Sequence, residues 1–140
     1  MRLLHTFSNW KWTGPAEPAV RLAARLAERH DVSFACGRCP YPDLENRVAS
    51  AARAAGLPLL DDLVLKKHFD LLNGARDLRR LTATLRDGAF DVVHTHLLND
   101  HLLAGAAARR DGTPLVFRTV YGGRDLTSPI RRRLAFGRFT

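Results

Sequence analysis

The sequence predicts a Rossmann-like α/β fold: a doubly wound parallel sheet in a three-layer α/β/α arrangement. Three observations lead there. Short apolar, strand-like runs alternate with longer stretches of helical spacing. Glycine and proline punctuate the joins. A chain of 140 residues, 46% hydrophobic and 26% charged, suits one soluble domain with a single core, needing neither disulfides nor a metal to fold.

Taken in order, Arg2 to Phe7 reads as the first strand. After the loop from Ser8 to Gly14, small and apolar residues recur at Ala16, Ala19, Val20, Ala23, Leu26 and Ala27, which is the stripe of an amphipathic helix. Pro15 and Pro18 fit only in or before its first turn, so it starts near Ala16 or Glu17. Asp31 to Cys36 is the second strand, followed by a helix over about Leu44 to Ala55 closed by Gly56. A weaker third strand is expected over Leu57 to Leu60, then a helix from Phe69 to Arg86 with Gly88 just past its end. Phe90 to Thr95 reads as a fully buried strand. Asn99 or Asp100 is suited to cap a helix running to about Arg110, ended by Gly112 and Pro114. Leu115 to Val120 makes a fifth strand, and a last helix is expected over Ile130 to Phe136. A crossover helix without a strand after it is incomplete grammar for such a sheet, so residues 1–140 read as one domain cut from a longer chain.

The net charge is +8, and twelve of the 22 basic residues but only six of the 14 acidic ones lie in residues 71–140. That bias suits phosphate or anionic lipid; no aromatic-basic interleaving or binding motif points to nucleic acid. Arg131-Arg132-Arg133 with Leu134, Phe136 and Phe139 could rest on anionic headgroups, though a solvated helix face is the plainer reading. No run approaches the roughly 18 apolar residues of a membrane span, and the opening residues have no signal-peptide pattern, so the expected location is cytoplasmic.

Ligands of an open parallel sheet bind beyond the carboxyl ends of its strands. Four segments fall there: Ser8 to Gly14, Cys36 to Tyr41, Thr95 to Asp100 and Tyr121 to Asp125. They gather Trp10, Lys11, Trp12, His96, Asn99, Asp100, Tyr121 and Arg124. Thr13-Gly14 stands directly before a helix N-terminus, where free N–H groups and the helix dipole favour an anion. The dinucleotide and P-loop fingerprints are both absent. His94 and His96 share one face of a strand, with His101 nearby. No recognisable third ligand completes a metal spacing, so no metal is expected. His94 reads as a hydrogen-bonded core histidine and His96 as a candidate donor or base toward ligand. Cys36-Gly37-Arg38-Cys39 has the strand-then-helix context of a dithiol motif, but Pro40 and Pro42 push the helix start away from Cys36.

Several segments carry a family resemblance together: Leu3-Leu4-His5-Thr6-Phe7; Thr13-Gly14-Pro15-Ala16-Glu17; Val20 to Ala27; His30 to Cys36; Phe90-Asp91-Val92-Val93-His94-Thr95-His96; and Gly112 to Gly122. In order and spacing the chain resembles the N-terminal domain of family 4 glycosyltransferases of the GT-B fold. The resemblance implies an acceptor-side domain facing a nucleotide-sugar-binding domain across a cleft, with no cofactor or metal. It implies sugar transfer from a nucleotide-sugar donor to a carbohydrate or lipid-linked acceptor, with retention of configuration, and no turnover by this piece alone. It places Gly14 by the donor diphosphate and His96 in the lining of the sugar or acceptor pocket; the strand-end positions add Thr13, Lys11, Trp12, Asn99 and Arg124 as donor-phosphate or substrate contacts. His96 and Tyr121 become the catalytic pair. Two departures stand out: the family usually has histidine where Tyr121 stands, and a Gly-Gly pair where Thr13-Gly14 stands. The alternatives left open by the residues themselves are a non-enzymatic α/β binding or regulatory domain and a dithiol oxidoreductase.

Overall fold

The computed structural model describes residues 1–112, 115–123, 127 and 129–130. Four strands, β1 (Arg2–Phe7), β2 (Asp31–Cys36), β3 (Val92–Thr95) and β4 (Leu115–Arg118), form one parallel sheet in the order β2-β1-β3-β4. The helices are α1 (Ala16–Ala27), α2 (Arg47–Ala54), α3 (Leu71–Gly88) and α4 (Leu98–Asp111). The chain leaves β1 toward one edge and returns to its other side for β3, so a topological switch point lies between the carboxyl ends of β1 and β3.

Strand periodicity sorts the core into two faces. Leu3, Phe7, Val32, Phe34 and Val92 pack under α1 and α2, while Leu4, Ala35 and Val93 pack under α3 and α4. Phe7, Phe34 and Leu4 have no exposed surface, and each stabilises the fold by about 2 kcal/mol through burial. On the second face Ala104, Ala107 and Ala108 of α4 let that helix lie close to the sheet.

β1, β2 and α1 form where expected; the differences elsewhere have local causes. The stretch Leu57 to Leu60 is not a strand but a single bridge, Leu59 to Phe34. Phe34 N–H donates to Pro58 O and Leu60 N–H to Phe34 O, yet Pro58 has no N–H with which to extend the ladder. α2 begins at Arg47 because the Asn46 side chain accepts from Ala49 N at 3.0 Å, and α3 begins at Leu71 because Asp70 accepts from Asn73 N at 2.9 Å. The left-handed residue ending α3 is Ala89 (φ 46°), not Gly88. Gly88 answers a packing need instead, since a Cβ there would lie 2.4 Å from the Phe90 ring. α4 is capped at Leu97, two or three residues before the expected caps, because the Asp100 carboxylate reaches back to the Leu97 N–H at 3.0 Å. The expected fifth strand is β4 and ends at Arg118. Beyond Ile130 the last helix lies outside the described residues.

One junction organises the ligand end of the sheet. Gly37 donates its N–H to Phe7 O and Asn9 O, at 2.9 and 3.1 Å, while Arg38 N–H donates to Val64 O at 2.9 Å. A Cβ on Gly37 would sit 2.7 Å from the Asn9 carbonyl carbon and 2.8 Å from Leu65 O, so only glycine lets the three backbones meet.

Candidate functional site

At the switch point the end of β1 and the β3–α4 turn are tied by one buried carboxylate. Asp100 Oδ2 accepts from His96 N (2.8 Å) and Thr6 Oγ1 (3.1 Å), and Oδ1 from Ser8 Oγ (2.8 Å) and Leu97 N (3.0 Å). Burial pushes its acid up to about 6, against the pull of these donors on the ionised form. Behind it, Thr95 Oγ1 donates to Phe117 O, so its oxygen accepts from His101 Nδ1–H at 3.0 Å.

On the opposite face of the same strands three imidazoles stack. Register places His5 of β1 beside His94 of β3. Ring centroids lie 4.4 Å apart for His94 and His96, 4.8 Å for His5 and His94, and 5.3 Å for His5 and His96. His5 Nδ1 and His96 Nε2 are 3.0 Å apart, His96 Nδ1 lies 2.7 Å from Tyr121 Oη, and His94 Nε2 lies 2.7 Å from Thr119 Oγ1. Burial, with mutual repulsion, lowers His5 to about 3 and His96 to about 2; burial also lowers His94. The stack is therefore neutral at physiological pH. Tyr121, 36% exposed, is the chain's outlet, and burial raises its hydroxyl to about 12.

Each of the three histidines offers a ring nitrogen within 4.8 Å of the others. Imidazole lone pairs lie in the ring plane, and rings overlaid at 4.4–5.3 Å with planes 15°, 24° and 37° apart aim most of them past one another rather than at a common centre. One nitrogen pair is also already hydrogen-bonded. The arrangement suits proton ordering better than cation binding.

The first loop holds a different feature. Trp10 packs edge-on against Tyr41 at 6.0 Å, and Lys11 Nζ lies 5.3 Å over the Trp10 ring. Trp10 and Lys11, with Trp12, Leu44, Glu45 and Arg47, wall a hollow of about 500 Å³, so the indoles border open space rather than fill it. Gly14 is exposed, with nothing within 4 Å of where its Cβ would be. The adjoining helix start is poor in free donors: Pro15 and Pro18 have no N–H, and Ala16 N–H donates to Thr13 O at 2.8 Å. Gly14 and Glu17 are left as first-turn amides without a backbone acceptor among the described residues.

The expected site residues thus divide. His96 and Tyr121 are hydrogen-bonded to each other; His96 is 1% exposed and Tyr121 is the more exposed of the pair. Lys11 and Trp12 share the hollow, and Thr13 closes the turn before α1. Asn99 is buried and spends its amide on Lys66 O at 2.6 Å, which fixes the 64–67 segment to α4. Arg124 lies outside the described residues. The dithiol reading loses its nucleophile: burial and Asp61 raise the Cys36 thiol to about 11, and α2 starts only at Arg47. Sequence reasoning missed His5, whose place beside His94 needs the strand pairing. It also missed Asp100 as a clamp, although Asp100 is the first acidic residue after His96.

An open parallel sheet of order 2-1-3-4 with polar groups at its switch point defines a Rossmann-like α/β domain. MurG of Acinetobacter baumannii superposes with TM-score 0.63 at 16% identity, over 96% of this chain and 39% of MurG. The lipopolysaccharide outer core galactosyltransferase WaaB superposes with TM-score 0.62 at 11% identity, over 84% of this chain and 32% of WaaB. The chain thus spans about a third to two-fifths of these enzymes' length. No curated protein matches it in sequence. It belongs to the glycosyl transferase 4-like domain family, whose pattern covers residues 13–139. No helix among the described residues is long and apolar enough to cross a membrane.

Proposed function

We propose that this domain forms the acceptor side of a retaining glycosyltransferase, which moves a sugar from a nucleotide-sugar donor to a carbohydrate or lipid-linked acceptor. A second domain would hold the donor, and this domain alone would not turn over. The observation that carries the reading is the family match over residues 13–139, which includes the β1 exit loop's last turn, His96 and Tyr121.

The hydrogen-bond chain gives Tyr121 a definite role. His5 Nε2 is buried and has no hydrogen-bond partner. A buried N–H without an acceptor is the rarer and costlier orphan, so the proton sits on Nδ1. His5 then donates to His96 Nε2, and His96 carries its own proton on Nδ1 and donates to the Tyr121 oxygen. The Tyr121 O–H is left for Thr119 or for a ligand. It acts as a hydrogen-bond donor to a sugar or phosphate oxygen, in the place where the family usually has histidine. It does not act as a base, because its hydroxyl ionises far above neutral pH. His96 works through Tyr121 as a positioning residue.

Charge that builds on the departing nucleoside diphosphate would be met by Lys11 and the amides of Gly14 and Glu17, which is stabilisation by placed donors rather than by covalent chemistry. With so few free amides in that turn, Lys11 carries more of the load than a helix N-terminus normally leaves to a side chain. The test is nucleoside diphosphate release and sugar transfer by the intact protein over a panel of nucleotide sugars and acceptors. Transfer that is lost in Gly14→Val with the fold intact supports the reading. Absence of transfer from every donor overturns it.

A further inference from the structure

A second hollow, of about 420 Å³, opens between the β1 exit loop and the segment leading into α3. Its frame is rigid. Asp77, 1% exposed, accepts the N–H groups of Val64 and Leu65, both at 2.8 Å, and Asn99 holds Lys66 O. Trp10, Pro40, Val64 and Phe69 supply an apolar wall, and Arg38, Lys66 and Lys67 the positive charge. Lys66 is offset by Asp70 at 2.6 Å. Arg38 and Lys67 have no ion-pair partner among the described residues; Arg38 meets only the Asp61 carbonyl. Next along the chain from the hollow, Phe69, Leu71 and Leu72 are large apolar side chains 77%, 72% and 83% exposed, outside both core clusters.

A neutral sugar would look for carboxylates and amides here. The one carboxylate in the lining, Asp70, is already committed to Lys66 and to the α3 cap. Uncompensated cations next to an aromatic wall, with an exposed apolar lip, match a different chemistry. We propose that this hollow binds a phosphate or phosphodiester head group carried on an apolar chain, the head on Lys67 and Arg38 against Trp10, the chain across Phe69, Leu71 and Leu72. That this ligand is the sugar acceptor, a lipid-linked phosphate rather than a free oligosaccharide, rests on the glycosyltransferase reading; the binding itself does not.

The experiment is a fluorescence titration in a Trp12→Phe background, where Trp10 is the sole indole reporter. The probes are octyl phosphate below its micelle point, octyl glucoside and inorganic phosphate. Octyl phosphate is expected to saturate, with the other two at least about tenfold weaker, because each lacks one half of the recognition. Lys67→Gln should weaken octyl phosphate about fivefold. The exposed double variant Phe69→Ser with Leu72→Ser should weaken octyl phosphate and leave inorganic phosphate unchanged. Sedimentation with phosphatidylglycerol vesicles separates the sources. Recruitment that needs the lip residues marks a membrane lipid, and octyl phosphate binding without recruitment marks a soluble amphiphilic anion; both uphold the site. Equal affinity for octyl phosphate and octyl glucoside, equal affinity for octyl phosphate and inorganic phosphate, or no saturation overturns it. Saturable binding in a protein that transfers no sugar would sink the transferase reading alone, and transfer to a free sugar without octyl phosphate binding would sink this site alone.

Discussion

Lowering the pH from 7.5 to 5 should cost this domain much of its stability. His5, His96 and His101 are held neutral chiefly by burial, at about 3, 2 and 4 respectively, whereas an unfolded histidine titrates near 6.5. Below 6.5 the unfolded chain therefore binds more protons than the folded one, and stability falls as pH falls. At pH 5 each of the three gives up about 2 kcal/mol, and together about 6 kcal/mol. Asp100 works in the opposite direction. Its acid is raised to about 6 from the ordinary 3.8, so the folded state takes up that proton first and regains about 1 kcal/mol by pH 5. His94, also lowered, adds to the loss. The net loss of at least about 4–5 kcal/mol compares with a total of about 5–15 kcal/mol for an ordinary domain. Urea midpoints followed by far-UV circular dichroism at pH 7.5, 6.5, 5.5 and 5 give the curve, and His5→Asn should flatten it by about a third. Stability that stays level or rises between pH 7.5 and 5 would refute the neutral, buried histidine stack.

Three substitutions probe the rest. Tyr121→Phe removes the hydroxyl offered to ligand together with the acceptor of the His96 Nδ1–H, so it should lower kcat/KM about tenfold in the intact enzyme and cost about 1–3 kcal/mol of stability; an unaltered rate would deny the hydroxyl its role. Asp100→Asn replaces one acceptor oxygen by a donor and so leaves either His96 N–H or Leu97 N–H unpaired, which should cost about 3 kcal/mol in urea denaturation; a loss under about 1 kcal/mol would mean that the clamp holds little. Gly37→Ala drives a methyl into backbone atoms that cannot rotate away, with an expected loss of about 2 kcal/mol or more, and wild-type stability would show that the junction can open.

The parts of the fold that the sequence made legible are those set by periodicity. The spans of β1 and β2 and the start of α1 follow directly from alternation, helical spacing and two prolines. Helix starts at Arg47 and Leu71 were hidden because an asparagine and an aspartate can each stop or cap, and only the N–H they accept tells which. The apolar run Leu57 to Leu60 looked like a strand because composition does not show which N–H Pro58 lacks. In the site, His96 and Tyr121 were found as a pair, but His5 was not: ninety-one residues separate it from its partner, and the pairing register alone brings them together. Lys66 and Lys67 fell in a stretch without a clear period, and Phe69 was read as the start of the next helix although α3 begins at Leu71, so the second hollow had no sequence signal beyond its charge.

The meeting of three backbones at Gly37 divides this end of the molecule into a welded knot and projecting edges. The main-chain bonds of that knot join residues 7–9, 36–38 and 64, and Asp77 pins 64–65 beside it. The side chains of Trp10 to Trp12 and Lys67 to Leu72 project past it, on a backbone held by Asn9 on one side and by the Asp70 cap of α3 on the other. Divergent versions of this architecture can therefore reletter those fringes one side chain at a time and change what they grip, while the frame that aims Tyr121 stays as it was.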